Sequence, residues 1–265
     1  MVTADGDVRA LPALLLSGAL LVGCKMEGPP APPAQVRVAA ASDLSIAFEE
    51  LGRLFERRTG HEVSFSFAAS GALAQQLSQG APFDLFAAAN ATFVDNAVEA
   101  GACDGSSKAL YARGHVVIWS KRGGATLSTL SDLAGADIRH IAIANPEHAP
   151  YGKAAREALT AAGVWRSVER KIVHAENVRQ ALQFARTGNA DVAIVALSLV
   201  VQDRSGQMLA IDPTLHRPIE QTLVVCKRGK NEAGGRELAK LLESADGQAL
   251  LKRHGFGSSA EQAAQ

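Results

Sequence analysis

Two serines stand where a strand-like segment gives way to a helix-like one. Ser42 follows a β-branched run that begins at Val36, and Ser70 follows a strand-like run at positions 63–67. At such a junction the first N–H groups of the helix lack carbonyl partners, and the helix dipole adds partial positive charge. A hydroxyl beside free N–H groups suits an anion. We predict that Ser42 is a helix N-cap and an anion donor, with an ordinary cap as the alternative.

The two junctions share one pattern, in which a strand, small residues, a serine and a helix follow each other. The small residues are alanines at positions 39–41 and at positions 68–69. If the two strands are parallel neighbours, Ser42 and Ser70 lie side by side at their carboxyl ends, where open α/β sheets bind ligands. The pair therefore strengthens the prediction of an anion site.

A second candidate group of donors comes from the middle of the chain. Positions 145–153 hold two prolines and a glycine, which predict a bent loop that ends in a helix. Tyr151 stands at that helix start, where its hydroxyl can donate, or its ring can pack against a hinge. Further on, Asn177 is a plausible cap, so the N–H of Val178 is a donor without a helical partner.

Strand-like and helix-like segments alternate along most of the chain after Val36, which predicts an α/β fold of mainly parallel sheets flanked by helices. The number of strands favours two lobes over a single sheet. We place the crossings between the lobes near Arg113 and near Cys226. The first lobe then contains residues 36–113 and 227–257, and the second contains residues 114–226.

The first 35 residues predict an export signal and a tether. An apolar run at positions 11–22 is short for a bilayer span and suits a signal peptide. Residues 21–24, Leu-Val-Gly-Cys, resemble a bacterial lipobox, so we predict a lipoprotein signal peptide over 1–24 and lipidation of Cys24. A plain cleaved signal is the alternative. The proline-rich residues 25–35 predict an extended tether that holds the body at the cell envelope, on the periplasmic or extracytoplasmic face of the membrane.

Composition excludes several classes of protein. The 265 residues have a formal net charge of zero and only 5% aromatic residues, which argues against a nucleic-acid partner. The three cysteines match no metal-binding spacing, and Cys103 and Cys226 can either pair or remain small buried apolar residues. His148 beside Glu147 is a weak metal candidate, because adjacent residues rarely bind one ion together. We therefore predict no metal site and no cofactor.

Six short segments, in order, resemble the molybdate-binding component of bacterial ABC importers. They are Ala-Ala-Ser at 40–42, Phe-Ala-Ala-Ser at 67–70, Gly-Ala-Pro-Phe-Asp-Leu-Phe at 80–86, Asn-Pro-Glu-His-Ala-Pro-Tyr-Gly at 145–152, Glu-Asn-Val at 176–178 and Arg-His-Gly-Phe at 253–256. The resemblance implies a two-lobed type II periplasmic binding protein fold with a ligand cleft between the lobes. It also implies a monomer that binds molybdate or tungstate and delivers it to a membrane permease with a cytoplasmic ATPase.

By position, the resemblance implies ligand contacts from Ser42, Ser70, Tyr151 and Val178, with the backbone N–H of Asp43 as a further donor. Some members of the family carry a tyrosine where this chain has Ala196. We expect Tyr151 to supply that hydroxyl from another point of the cleft.

Molybdate is a tetrahedral dianion that only accepts hydrogen bonds, so a suitable site contains donors and no acceptors. We therefore expect the Asp43 carboxylate to turn away from the ligand. Sulfate and protonated phosphate remain alternative ligands. A serine hydrolase is a remote alternative, because neither Ser42 nor Ser70 lies in Gly-x-Ser-x-Gly. We predict a binding protein and not an enzyme.

Overall fold

Two five-stranded β-sheets, each flanked by helices, position the candidate residues. The computed structural model describes residues 35–259. The first sheet has the strand order β2-β1-β3-β10-β4 and defines the first lobe. Its strands are β1 (Val36–Ala41), β2 (Val63–Ala68), β3 (Leu85–Ala88), β4 (Cys103–Gly114) and β10 (Ile219–Cys226).

The second sheet has the order β7-β6-β8-β5-β9 and defines the second lobe. Its strands are β5 (Val116–Lys121), β6 (Ile141–Ala144), β7 (Ile172–Ala175), β8 (Val192–Ala196) and β9 (Gly206–Ala210). Each sheet has three neighbouring parallel strands, and antiparallel pairing attaches two more. The predicted α/β class with helices flanking two sheets is confirmed, but the sheets are mixed and not mainly parallel, because β4, β5, β9 and β10 join by antiparallel pairing.

Helices cover both sheets. Those on the first sheet are α1 (Ser45–Thr59), α2 (Ser70–Ser78), α3 (Ala91–Glu99), α7 (Glu232–Glu243) and α8 (Ala245–Arg253). Those on the second sheet are α4 (Pro150–Ala161), α5 (Trp165–Val168) and α6 (Val178–Thr187). Short 3₁₀ turns occur at Ser42–Leu44, Leu130–Ala134, Glu169–Lys171, Leu197–Leu199 and Pro213–Leu215.

Helix α1 shows why the sequence folds this way at the first junction. Phe48, Leu51 and Phe55 recur at helical spacing and are almost fully buried against the sheet, while Arg53 and Arg57 face solvent. Burial of each large apolar side chain contributes roughly 1.5–3 kcal/mol, so this face fixes the helix on the sheet. The end of β1 is held in place as a result.

The chain crosses between the sheets twice. The first crossing lies between β4, which ends at Gly114, and β5, which begins at Val116. The return lies between Ala210 and Ile219, because β10 pairs antiparallel with β3 and β4 of the first sheet. The prediction of a return near Cys226 is therefore wrong, and residues 219–226 belong to the first lobe. An apolar strand run does not by itself show which sheet it joins.

Cys103 and Cys226 form a disulfide between β4 and β10. The two residues stand opposite each other in the antiparallel register and are buried. The sequence left pairing and burial as alternatives, and the structure shows both together.

The predicted signal peptide, Cys24 and most of the tether lie outside residues 35–259. Within that range, no helix has both the length and the apolar character needed to cross a bilayer.

Candidate functional site

Ser42 lies at the carboxyl end of β1 in a buried turn. It is 3% exposed and begins the 3₁₀ turn that leads into α1. The prediction that Ser42 caps a helix is wrong, because α1 begins only at Ser45 and neither the turn nor α1 has a side-chain cap. Its hydroxyl is therefore not committed to capping the helix backbone.

Ser70 lies beside Ser42 at the end of the neighbouring strand. Strands β1 and β2 are parallel, with Ala41 opposite Ala68, and Ser70 is the first residue of α2. The Ser70 Oγ accepts a hydrogen bond of 3.1 Å from the N–H of Ala89. Because that oxygen acts as the acceptor, the hydroxyl proton is left to donate to a ligand.

The second lobe contributes the starts of two helices. Tyr151 follows Pro150 at the start of α4, and Val178 is the first residue of α6. The side chain of Asn177 accepts from the N–H of Gln180 over 3.0 Å, which confirms the predicted cap. The N–H of Val178 has no acceptor within its own helix, because the first four N–H groups of a helix have no preceding helical carbonyl to bond to.

These residues surround one small cavity between the lobes. The cavity is small: a water-sized sphere can occupy only about 10 Å³ of it, roughly the space that one water molecule needs. The residues that line it are mostly small or hydroxyl-bearing: Ala41, Ser42, Asp43, Ala68, Ala69, Ser70, Ala89, Ala149, Pro150, Tyr151 and Val178. All five site residues predicted from the sequence thus line this one cavity. Its lining contains no lysine or arginine.

Asp43 brings a carboxylate to the wall of this cavity. It is 1% exposed, and its Oδ2 accepts a hydrogen bond of 2.6 Å from Gln221 Nε2. Burial raises the pKa of Asp43 to about 7, although hydrogen bonds from Tyr151 and Gln221 oppose this rise. With a pKa of about 7, both protonation states of Asp43 are populated near neutral pH. No cation is among the groups that shift this pKa.

The Asp43 main chain also joins the two lobes. Its carbonyl oxygen accepts a hydrogen bond of 2.8 Å from the hydroxyl of Ser198, which lies just after β8 in the second sheet. The carboxylate is therefore fixed by its side-chain contacts and the backbone by Ser198, so Asp43 has little freedom to swing into the cavity.

Tyr151 both lines the cavity and reaches the first crossing. Its hydroxyl hydrogen-bonds with the Asp43 carboxylate and lies 3.5 Å from Gln221 Nε2. It also lies over Gly114, where an added Cβ would come within 2.2 Å of the hydroxyl oxygen. Burial raises the pKa of Tyr151 well above its usual value, so the phenol stays neutral and keeps its proton. The packing of Tyr151 at the first crossing is thus observed, while its role as a donor to a ligand stays a prediction, because its single hydroxyl proton is directed at Asp43 in this structure.

Three residues of this network were not anticipated from the sequence. Gln221 comes from β10, Ser198 from the turn after β8, and Tyr111 from β4. The Tyr111 hydroxyl and Gln221 Oε1 are buried without a hydrogen-bond partner in the described part of the chain. No short-range pattern marks these positions, since Gln221 and Tyr111 reach the site through strand pairing and Ser198 reaches it by contact between the lobes.

The alternative chemistries find little support in the geometry. Glu147 pairs with Arg156 over 3.1 Å, and within residues 35–259 no group of three or more histidine, cysteine or acidic side chains is placed to hold a metal ion. The Ser70 oxygen contacts a backbone N–H and not a histidine base. Nucleophilic activation of a serine requires such a base.

Two lobes with a small cavity between them are typical of a solute-binding protein. Residues 36–257 match the family of bacterial extracellular solute-binding proteins, and the chain belongs to that family. The molybdate-binding protein ModA of Rhodobacter capsulatus is 34% identical over 238 residues, which cover 90% of this chain and 93% of that protein. The resemblance seen in the short segments is thereby confirmed.

Solved structures show the same architecture. The periplasmic molybdate-binding protein of Azotobacter vinelandii aligns with a TM-score of 0.76 at 30% identity, covering 83% of this chain and 98% of that one. The sulfate-binding protein SubI of Mycobacterium tuberculosis aligns with a TM-score of 0.71 at 15% identity, covering 86% and 88% of the two chains. At that low identity, the second alignment shows a shared fold only.

Proposed function

We propose that this protein binds molybdate, and by the same chemistry tungstate, outside the cytoplasmic membrane and delivers it to an ABC importer. The observation that carries the proposal is the small cavity between the lobes, where Ser42, Ser70, Tyr151 and the N–H of Val178 converge. The relatives named as molybdate-binding proteins support the choice of ligand.

Neutral donors are sufficient for this ligand. A dianion that carries no proton only accepts hydrogen bonds, and each hydrogen bond to a charged group contributes roughly 1.5–3 kcal/mol. The N–H of Val178 and the partial positive charge at the starts of α2, α4 and α6 add to the hydroxyls of Ser42 and Ser70. The site therefore needs no buried lysine or arginine.

Phosphate is the second candidate, and Asp43 is the reason. Phosphate usually carries a proton near neutral pH, and a carboxylate in the wall of the cavity can accept it. In this structure the carboxylate already accepts from Gln221 and Tyr151, which favours an anion that offers no proton.

Sulfate shares the charge and shape of molybdate and differs mainly in size. The alanines of the lining are small side chains, so the larger ion meets less bulk there than longer side chains would present.

A thermal-shift panel with molybdate, tungstate, sulfate and phosphate tests the proposal. A ligand that binds only the folded protein stabilises it by about 2.7 kcal/mol at 100 times its dissociation constant. We expect large, concentration-dependent shifts with molybdate and tungstate and small shifts with sulfate and phosphate. A shift with phosphate alone would replace the main proposal with the second candidate.

The place of action follows from the first 35 residues. We propose that Cys24 carries a lipid anchor, that residues 25–35 act as the tether, and that the protein works as a monomer with a membrane permease and its ATPase. Membership in the extracellular solute-binding family supports this location. Replacement of Cys24 by alanine is expected to move the protein from the membrane fraction to the soluble fraction. Retention in the membrane fraction would contradict lipidation at this residue.

We further propose that the protein does not catalyse a reaction on its ligand. Ser70 is oriented by the N–H of Ala89 as a donor, which is the role of a binding residue. A serine-directed fluorophosphonate is expected to leave Ser42 and Ser70 unlabelled, and labelling of either would support a hydrolase.

A further inference from the structure

The two lobes meet in a backbone hydrogen bond beside the cavity. Gly71 is the second residue of α2 in the first lobe, and His148 lies in the loop before α4 in the second lobe. The N–H of Gly71 donates to the carbonyl oxygen of His148 over 3.0 Å. This bond joins the element that begins with Ser70 to the loop that continues into Tyr151.

The bond depends on the absence of a side chain at Gly71. A Cβ at this position would lie 2.8 Å from the Cβ of His148, 2.9 Å from its carbonyl oxygen and 3.0 Å from the ring of Phe93. These separations are shorter than ordinary van der Waals contacts, which begin at about 3.5 Å between carbon atoms. Space is thus what requires glycine here, because Gly71 is not among the glycines with a positive φ.

The loop that carries His148 has little freedom to move away. Pro146 and Pro150 restrict the backbone on both sides. The Asn145 carbonyl accepts from the N–H of Ala149 over 2.9 Å, and the Asn145 side chain accepts from the N–H of Glu147 over 3.0 Å. A Cβ at Gly71 would therefore push the lobes apart more readily than it would reshape this loop.

We propose that Gly71 and His148 form a latch that holds the two lobes closed over the bound oxyanion, with Gly71 as a positioning residue. The latch rests on the proposed function, since it acts on the same cavity. It uses only backbone atoms and lies next to ligand donors of both lobes, so its closure brings those donors together. A contact that forms after the anion has entered acts on the rate of dissociation more than on the rate of association.

Gly71→Ala tests the latch in the whole protein, with molybdate as the probe. We expect the dissociation constant to rise at least tenfold, which corresponds to about 1.4 kcal/mol. The dissociation rate constant, measured by stopped-flow fluorescence, is expected to carry most of this change. Phe93 belongs to the first lobe, so its half-buried ring must shift slightly in the open form too, while alanine is a better helix residue than glycine; the ligand-free variant is therefore expected to melt close to the wild type.

Two matched variants serve as controls. His148→Ala keeps both the carbonyl oxygen and the Cβ, so a backbone latch predicts wild-type affinity and rates. Gln75→Ala changes an exposed residue of the same helix and is expected to have no effect on binding. A loss of affinity in His148→Ala would assign the contact to the imidazole and overturn the latch.

The outcomes separate the latch from the proposed function. If the wild type binds molybdate and Gly71→Ala binds it equally well, the latch is wrong and the proposed function stands. If ligand-free Gly71→Ala melts well below the wild type, the glycine serves the fold and the latch is likewise overturned. A wild type that binds neither molybdate nor tungstate overturns the proposed function and, with it, a latch that closes on an oxyanion.

Discussion

Gln221 Nε2 donates to Asp43 Oδ2 over 2.6 Å, so the strand that returns the chain to the first lobe holds the carboxylate next to Ser42. Tyr151 of the second lobe hydrogen-bonds with the same carboxylate. The Asp43 carboxylate in the wall of the proposed oxyanion site thereby already accepts hydrogen bonds from donors of the protein. The arrangement explains how a site for a dianion tolerates Asp43, and several consequences can be measured.

Asp43→Asn keeps the shape of the side chain and removes its charge. We expect the affinity for molybdate to stay within about tenfold of the wild-type value, or about 1.4 kcal/mol, because the backbone N–H is unchanged. Calorimetric titration with molybdate and with phosphate checks this. A change of preference toward or away from phosphate would show that the carboxylate contacts the ligand directly.

The pH dependence of stability follows from the same residue. The pKa of Asp43 is about 7 in the folded protein, against an ordinary value of 3.8, so the folded state holds this proton more tightly than the unfolded state. The resulting stabilisation is fully present below pH 3.8 and is lost as the pH rises through 7. Above that pH the cost of the buried charge is constant.

Urea unfolding of ligand-free wild type and Asp43→Asn isolates this effect, because other titrating groups are common to both. Between pH 5 and pH 6.5 the stability of the wild type relative to the variant is expected to fall by roughly 1.4 kcal/mol per pH unit. The difference should level off above about pH 7.5. Parallel stability profiles would mean that Asp43 titrates normally in the folded protein.

Ser42→Ala removes one proposed donor without leaving a known protein partner unpaired. The loss of a hydrogen bond to a charged ligand costs about 1.5–3 kcal/mol, so the dissociation constant for molybdate is expected to rise roughly 10- to 150-fold. Ser78→Ala, on the exposed side of α2, is the control and is expected to bind as the wild type does. Equal affinity of Ser42→Ala and the wild type would remove Ser42 from the site.

Tyr151→Phe keeps the ring and removes the hydroxyl. The hydroxyl lowers the pKa of Asp43, so its loss is expected to raise that pKa further and to move the pH-dependent loss of stability to higher pH. The affinity for molybdate is expected to fall as well. An unchanged stability profile with reduced affinity would show that the hydroxyl serves the ligand alone.

The disulfide between Cys103 and Cys226 is expected to stabilise the first lobe without changing the affinity of the site for its ligand. It closes a sequence separation of 123 residues, and removal of a native disulfide costs about 2–5 kcal/mol. The double variant Cys103→Ala, Cys226→Ala should show this loss in urea unfolding. Cys226 lies five residues beyond Gln221 along β10, about 17 Å away at 3.3 Å per residue, so molybdate affinity should be unchanged. Weakened binding would show that the two ends of the strand are coupled.

The candidate residues that the sequence indicated all follow the end of a strand. Ser42, Ser70 and Val178 stand at or just before helix starts, where local patterns of small residues and caps are informative. The rule that parallel strands end at the same edge of a sheet accounts for Ser42 beside Ser70, whereas the meeting of these serines with Val178 of the other sheet was implied only by the family resemblance. The roles of these residues toward a ligand remain predictions.

The contacts that connect distant parts of the chain could not be predicted from the sequence. The pairing of Gln221 with Asp43 spans 178 residues, and that of Ser198 with the Asp43 carbonyl spans 155. Strand β4 was not predicted, since its polar stretch from Asp104 to Lys108 lacks an apolar alternation, and β10 was placed in the wrong lobe. Tertiary pairing decides such cases, and no local propensity encodes it.

Isothermal titration calorimetry of the purified protein with molybdate tests the central claim most directly. We predict one saturable binding site for molybdate per chain, with sulfate weaker in a parallel titration. Tungstate is expected to compete for the same site. Absence of saturable binding of molybdate, or equal binding of sulfate and molybdate, would contradict the claim that the cavity between the two lobes is a molybdate site.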